Sequence, residues 1–304
     1  MVKAEILIET DLTPSSEGAI EVGINWAQVL NCVPTIVHVA HLDLNWNTLQ
    51  LISPKNAVDY ENFLQAYKVE VGQKLDHLLA GHKVKLKLET LIEFGDAAKI
   101  LAKRSIERNS KLIVLPAFNE KQRVKLYGTA EKIIRLTNCP VLVVKNKECL
   151  DPKKVIWGYA LDSTSESPSI WAYLVATYFK AHITMVHSLH RNQIGAITKD
   201  FNLETLRDFL NRSEINKDEI KRLNRHLEFF EKEGLRVDFK VLKNNDKKIK
   251  QVLNQYIQEN SADLLIVGTK ALSGPSKFYL GSVAENLLRS NETSILIVKS
   301  NKGS

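Results

Sequence analysis

Short runs of consecutive apolar residues alternate along this chain with longer stretches in which apolar positions recur every three or four residues. The runs at residues 112–114 and 264–267 are continuous and aliphatic. They read as parallel strands buried on both faces. Between such runs, Ile249, Val252, Leu253, Tyr256 and Ile257 fall on one side of a helix at spacings of three, four, seven and eight. Asp96 predicts the start of a similar helix through Ile100 and Leu101. The longest helical patterns cover residues 59–80 and 203–233. Strand and helix alternate throughout, which predicts an α/β architecture of doubly wound, mostly parallel sheets with helices on both faces.

The pattern occurs twice. The segment from Lys111, KLIVLPAFNEKQRVKLYGTAEKIIRLTNCPVLVVKN, has its partner in LLIVGTKALSGPSKFYLGSVAENLLRSNETSILIVKSN from Leu264. Upstream, the strand, Ser/Pro loop, helix and Val-His strand that follow Ala4 recur after Val155, with Asp11 and Asp162 as matching acids and His38 and His187 as matching histidines. A period of about 150 residues is a duplicated domain, not a solenoid repeat. The 304 residues, 44% of them apolar, suffice for two packed cores. Domains at residues 1–148 and 153–304 are expected, joined by a polar linker at residues 146–154 containing Pro152. Five strands are expected in each sheet. The terminal strands, residues 141–144 and 294–298, are apolar edges whose mutual pairing would close two exposed edges and join the copies as a pseudo-dimer.

Charge and cysteine content narrow the function classes. The net charge of +7 is spread, with 19 basic and 17 acidic side chains in residues 1–150 and 23 and 18 in the remainder. Nucleic-acid binding, which needs clustered cations, is not expected. The densest clusters, Lys83, Lys85, Lys87 and Lys247, Lys248, Lys250, read as solvated faces. Cys32, Cys139 and Cys149 form no close pair, so no disulfide framework or thiolate zinc site is expected. The apolar run at residues 4–8 is too short and acidic for a signal-peptide core, and no run approaches a membrane span. A cytoplasmic protein is the expectation. There is neither a P-loop nor a dinucleotide fingerprint. His38 and His187 lack a second ligand at metal spacing and are expected to be structural. Ser15, Ser16, Ser165 and Ser167 precede helices as caps, and of Phe229 and Phe230 one should pack while the other stays partly exposed.

The candidate chemistry lies in the second copy. A strand ending at Gly268 would let a ligand approach its backbone, and Gly281-Ser282 would open a helix over residues 283–289, with Ser282 as its N-cap. Free amides at a helix start suit an anion. The strand with its Asp, the Val-His strand, and a glycine followed thirteen residues later by Gly-Ser-Val-Ala-Glu together resemble the universal stress protein family over nearly the whole chain. Its nucleotide-binding members carry glycine, two residues, glycine, nine residues, then glycine with Ser or Thr. Gly268, Gly281 and Ser282 match, while Ala271 stands at the middle glycine and Gly274-Pro275 follows. The resemblance implies that Gly268 through Ala271 lie against phosphate and ribose and that Gly281, Ser282 and Val283 hold phosphate oxygens. It also places Asp162 at ribose and adenine and Ser188 at the adenine edge. The first copy departs further: Leu115 and Phe118 replace glycines, Pro116 removes an amide, and only Gly128 and Thr129, with Asp11 and Val39, remain at matching points.

The implied function is a stress-response sensor or regulator that binds ATP, with Mg as the implied companion ion, in its C-terminal domain, with at most slow hydrolysis. Regulatory proteins and a homodimer are the implied partners. The alternative is a stress-response interaction protein without nucleotide, its pocket holding an apolar or lipid-like ligand.

Overall fold

The computed structural model describes residues 4–40, 54–81, 86–117, 123–190, 217–244, 249–270 and 281–300. Phe118, Ala271, Gly274, Lys83, Lys85, Lys247, Lys248 and the first part of the 203–233 pattern lie outside the described residues. Among those described, no helix is long and apolar enough to cross a membrane.

The first half runs β1 (Glu5–Glu9), α1 (Glu17–Val29), β2 (Val33–Ala40), α2 (Pro54–Leu79), β3 (Glu89–Phe94), α3 (Ala97–Glu107), β4 (Leu112–Pro116), α4 (Arg123–Leu136) and β5 (Val141–Val144). The second runs β6 (Lys154–Gly158), α5 (Glu166–Phe179), β7 (His182–His190), α6 (Lys217–Lys232), β8 (Val237–Asn244), α7 (Ile249–Glu259), β9 (Leu264–Lys270), α8 (Ser282–Ser290) and β10 (Ser294–Ser300). Within each half all strand pairs are parallel. The terminal strands pair antiparallel, Ile295 opposite Val143 and Ile297 opposite Val141. Two five-stranded sheets thereby become one of ten strands, in the order β3-β2-β1-β4-β5-β10-β9-β6-β7-β8.

Helices cover both faces, which explains why odd and even strand positions are equally apolar. One face packs Ile6, Ile8, Trp157 and Ile266 under α1, α2, α5 and α6. The other packs Leu7, Ile113, Ile156 and Leu265 under α3, α4, α7 and α8. Each core layer runs through both halves. On the first face Trp26 of α1 meets Trp171 and Phe179 of α5 at ring-centre distances of 6.4 and 5.1 Å. Phe230 is fully buried and Phe229 is 44% exposed, as their polar surroundings suggest.

The expected polar linker is a packed element. Residues Lys147–Leu150 form a 3-10 turn with Cys149 fully buried. Trp26 Nε1 donates to Cys149 O at 2.9 Å and Asn25 Nδ2 to Leu150 O at 2.7 Å. The Ser residues before the helices also differ from expectation. Ser16 and Ser165 occupy N-cap positions, but neither side chain caps. Ser16 Oγ donates to Thr13 O, and Ser165 Oγ bonds both Ala160 N and Ala160 O, so each hydroxyl ties its turn to the preceding chain instead.

Reciprocal contacts lock the two halves on the second face. Lys145, after β5, donates to Leu288 O and Asn291 O at the end of α8, and Lys299 of β10 donates to Arg135 O at the end of α4. Each cation thus sits at the negative end of the other half's helix. Arg289 binds Glu131 through NH2 at 2.6 Å and Nε at 2.7 Å, while Arg135 lies 3.7 Å from Glu131 and 4.0 Å from Glu285. Glu131 is 6% exposed. Removing its forked partner leaves a buried carboxylate poorly paired, so Arg289→Met should destabilise the protein by about 1–3 kcal/mol in urea unfolding followed by tryptophan fluorescence. Arg135→Met, losing only longer contacts, should cost clearly less, and an equal or larger loss there would contradict this assignment of the interface.

Candidate functional site

In open parallel sheets the carboxyl ends of the strands are where ligands meet the chain. At these ends of β6, β7 and β9 in the second half lies a cleft of about 420 Å³. Asp162, Ser188, Gly268, Gly281, Ser282 and Val283 all line it, so the structure brings together every predicted site residue that is described. Tyr159, Thr164, His187 and Thr269 line it too, and the apolar part of its wall includes Val186, Leu253 and Val267, with the half-exposed Ile249.

Each polar group owes its place to a local reason. Asp162 is the N-cap of the 3-10 turn Ser163–Ser165, its Oδ1 accepting from Thr164 N at 2.9 Å and from Thr164 Oγ1. His187 donates Nδ1–H to Tyr159 O at 2.8 Å, the acceptor being a carbonyl. Burial, outweighing that bond, holds its imidazole below the usual range and hence neutral at pH 7. His38 makes the same bond to Thr10 O at 2.9 Å, so the paired histidines stitch neighbouring strand ends together in both halves. Among the described residues no group of His, Cys, Asp or Glu could hold a metal ion. Ser188 Oγ is buried beside the cleft without a hydrogen-bond partner among the described residues.

The glycines act differently from the sequence expectation. A Cβ on Gly268 would stand 2.6 Å from Thr164 O and 3.0 Å from Pro168 Cγ. The glycine is therefore required by the protein's own turn packing on β9, whether or not a ligand is present. Gly281 is the N-cap of α8, with φ −52° and ψ 138°, and Ser282 is the first helical residue instead of the cap. A Cβ at Gly281 would meet only Thr269 Oγ1 at an ordinary 3.7 Å, and the Gly281 amide makes a long bond of 3.4 Å to that hydroxyl. Neither conformation nor packing demands a glycine there. The first-turn amides of α8 have no acceptor within the helix and face the cleft end of the sheet.

Strand register corrects two equivalences. The matched histidine bonds, His38 to Thr10 and His187 to Tyr159, set Asp11 opposite Ala160 and Thr13 opposite Asp162, so the two acids are not counterparts. Pro116 pairs with Val144 as Gly268 pairs with Val298, and Pro116, not Leu115, therefore occupies the position of Gly268. Leu115 is buried in the core. Helix α4 begins at Arg123, so Gly128 and Thr129 lie inside it and their amides have intrahelical carbonyls to bond. Val39 stands where Ser188 does, with no hydroxyl to offer.

One residue that sequence reasoning missed is Glu9. It pairs with Val37 as Gly158 pairs with Val186, so its carboxyl stands where the second half has an open, side-chain-free floor. The signal was available as an acid inside the buried strand Glu5–Glu9. Burial, with a smaller contribution from Asp11, pushes the Glu9 carboxyl up to about 8. Because the native acid keeps its proton where the unfolded chain loses it, this group's contribution to stability is full below about pH 4.5 and is lost as pH rises to about 8. Glu9→Gln should consequently raise the thermal midpoint by several degrees at pH 8, relative to the parent, and leave it nearly unchanged at pH 4.5. Equal shifts at the two pH values in calorimetric scans would contradict this.

Comparison with known proteins now bears on the whole chain. The model of the universal stress protein family matches residues 4–145 and again residues 153–299. The crystal structure of a universal stress protein from Archaeoglobus fulgidus DSM 4304 superposes with a TM-score of 0.64 at 15% identity, covering 98% of this chain and 97% of that one. A functionally unknown protein from Pseudomonas aeruginosa PAO1 superposes with a TM-score of 0.59 at 16% identity, covering 98% and 93%. No curated protein matches the sequence. At such identities the superpositions speak for the fold alone. The two family matches and the doubled sheet agree that the chain belongs to the universal stress protein family, as two copies in tandem.

Proposed function

We propose that the second copy binds an adenine nucleotide, ATP above all, and that the protein serves as a nucleotide-responsive sensor or regulator in the stress response. The observation that carries this is the cleft itself: the start of α8 supplies free amides for an anion, and Val186, Leu253 and Val267 offer a base an apolar surface. The unpartnered Ser188 Oγ and the dispensable backbone glycine at Gly281 add to it. Gly281, Ser282 and Val283 would hold phosphate oxygens, Ser188 would meet the adenine edge, and Asp162 would face the ribose. Magnesium, if bound, would come with the phosphates and not through a resident site. Hydrolysis is at most slow in this reading, because no group of His, Cys, Asp or Glu among the described residues could hold a resident metal to activate water.

The first copy is proposed as a partner domain without nucleotide. Pro116 withholds an amide, α4 spends the amides of Gly128 and Thr129 internally, and Glu9 gives phosphate no positive charge. In titration calorimetry of the nucleotide-free protein with Mg-ATP, one site per chain is expected. Gly281→Trp fills the cleft from a position where a Cβ fits and should abolish binding, whereas Gly128→Trp, at a position with open space around it, should bind as the parent does. Absence of heat and of thermal stabilisation up to millimolar Mg-ATP would overturn the proposal and turn attention to an apolar ligand for the same walls.

A further inference from the structure

The pseudo-twofold axis through the β5–β10 pair generates two equivalent grooves, each between the first helix of one copy and the amino ends of the other copy's strands. One groove is filled by the protein's own chain. There Lys147 pairs with Glu21 at 2.7 Å, Asn25 donates to Leu150 O, and Asn146 Nδ2 donates to Glu292 O at 3.3 Å. Helices α1 and α5 both start one residue after their N-cap serines, Ser16 and Ser165, and this equivalence puts Ile170 where Glu21 stands and Leu174 where Asn25 stands. The polar groups that grip the linker in one groove are thus aliphatic in the other.

That other groove encloses about 950 Å³. Ile106, Leu136, Ile170 and Leu174 line it together with Trp171. Ile106 and Ile170, 68% and 60% exposed, are more open than any of the other large apolar side chains named as exposed among the described residues. Lys111, Arg135 and Lys299 also line it, and among the described residues no acidic one does. Arg135 shares its charge with Glu131 and Glu285, but neither Lys111 nor Lys299 pairs with a carboxylate among the described residues. Lys299 is held in place by its bond to Arg135 O at 3.0 Å. Ser105, Asn109, Ser110, Thr137 and Asn138 line it as well. Exposed aliphatic side chains beside two cations that no described carboxylate pairs with are a good complement to a molecule that is apolar along its length and anionic at one end.

We propose that this inter-copy groove is a second ligand site, for an amphipathic carboxylate with a medium-length acyl chain. The tail would lie along Ile106, Ile170 and Leu174, and the carboxylate would meet Lys299 and Lys111. The groove shares no lining residue with the nucleotide cleft, so the two proposals stand or fall separately.

Titration calorimetry of the full chain with decanoate below its micellar concentration tests it. One decanoate per chain is expected, with affinity at least tenfold weaker for neutral decanol. Lys299→Met should weaken decanoate at least tenfold, and so should Ile170→Glu, which restores the acid found at Glu21 and, being at an exposed position, leaves the fold intact. Mg-ATP titrations should be unchanged in both variants. Absence of decanoate binding, affinity unaltered by Ile170→Glu, or equal affinity for decanol would overturn the proposal. So would protein-concentration-dependent sedimentation abolished by Ile170→Glu, which would give the groove to a second copy of this chain.

Discussion

The antiparallel pairing of β5 with β10 is the constraint on which the rest of the molecule depends. Each copy ends in an apolar strand that would otherwise present a row of unpaired backbone groups. Joined, the strands make both core layers continuous across the halves, so that α1 meets α5 on one face and α4 meets α8 on the other. The pairing also puts Lys145 and Lys299 within reach of the opposite copy's last helix, and Glu131 within the fork of Arg289. A single chain holds the two copies at fixed stoichiometry. The interface needs no second molecule to form, and its two ends are free to diverge.

That freedom shows in the two strand-end clefts. In the second half the β6 floor is Gly158, where a Cβ would already crowd Val267 at 3.2 Å, and α8 starts at the cleft. In the first half the same floor carries Glu9, Pro116 ends β4, and α4 begins five residues ahead of Gly128. Starting the helix earlier moves its free amides away from Gly128 and Thr129. These changes reinforce one another: once the helix has taken the place of an anion site, an acid on the floor no longer conflicts with a ligand, only with its own desolvation.

Much of the fold was legible because it rests on periodicity that repeats. Two copies of the strand-helix alternation, the terminal strands and the start of α3 at Asp96, whose side chain accepts from Lys99 N, all stood in the residue pattern. The gathering of residues 281–283 at one cleft was legible from a helix start beside strand ends, whereas Asp162 and Ser188 were placed there by the family resemblance. What was not legible depended on register and on packing in three dimensions. A shift of two residues separates Asp11 from the true counterpart of Asp162, and the matched histidine bonds and strand pairs reveal it. Gly268 looked like a concession to a ligand, whereas Thr164 O and Pro168 already exclude a side chain. The linker looked solvated because it is polar, yet its carbonyls are what α1 binds and its Cys149 is the residue it buries.

The same reasoning bears on why duplication in one chain produces an asymmetric molecule. A covalent linker can leave only one end of the twofold interface, so it can fill only one of the two equivalent grooves. Where it lies, α1 keeps Glu21 and Asn25 to bind it. At the other groove no linker has to be gripped, and positions 170 and 174 are free to become aliphatic while Lys299, still tied to the end of α4, keeps its charge at the groove. The interface contacts that stabilise the pseudo-dimer are symmetric. The surfaces beside them are not, and in a folded protein exposed aliphatic side chains such as Ile106 and Ile170 persist at a cost in solubility unless something covers them.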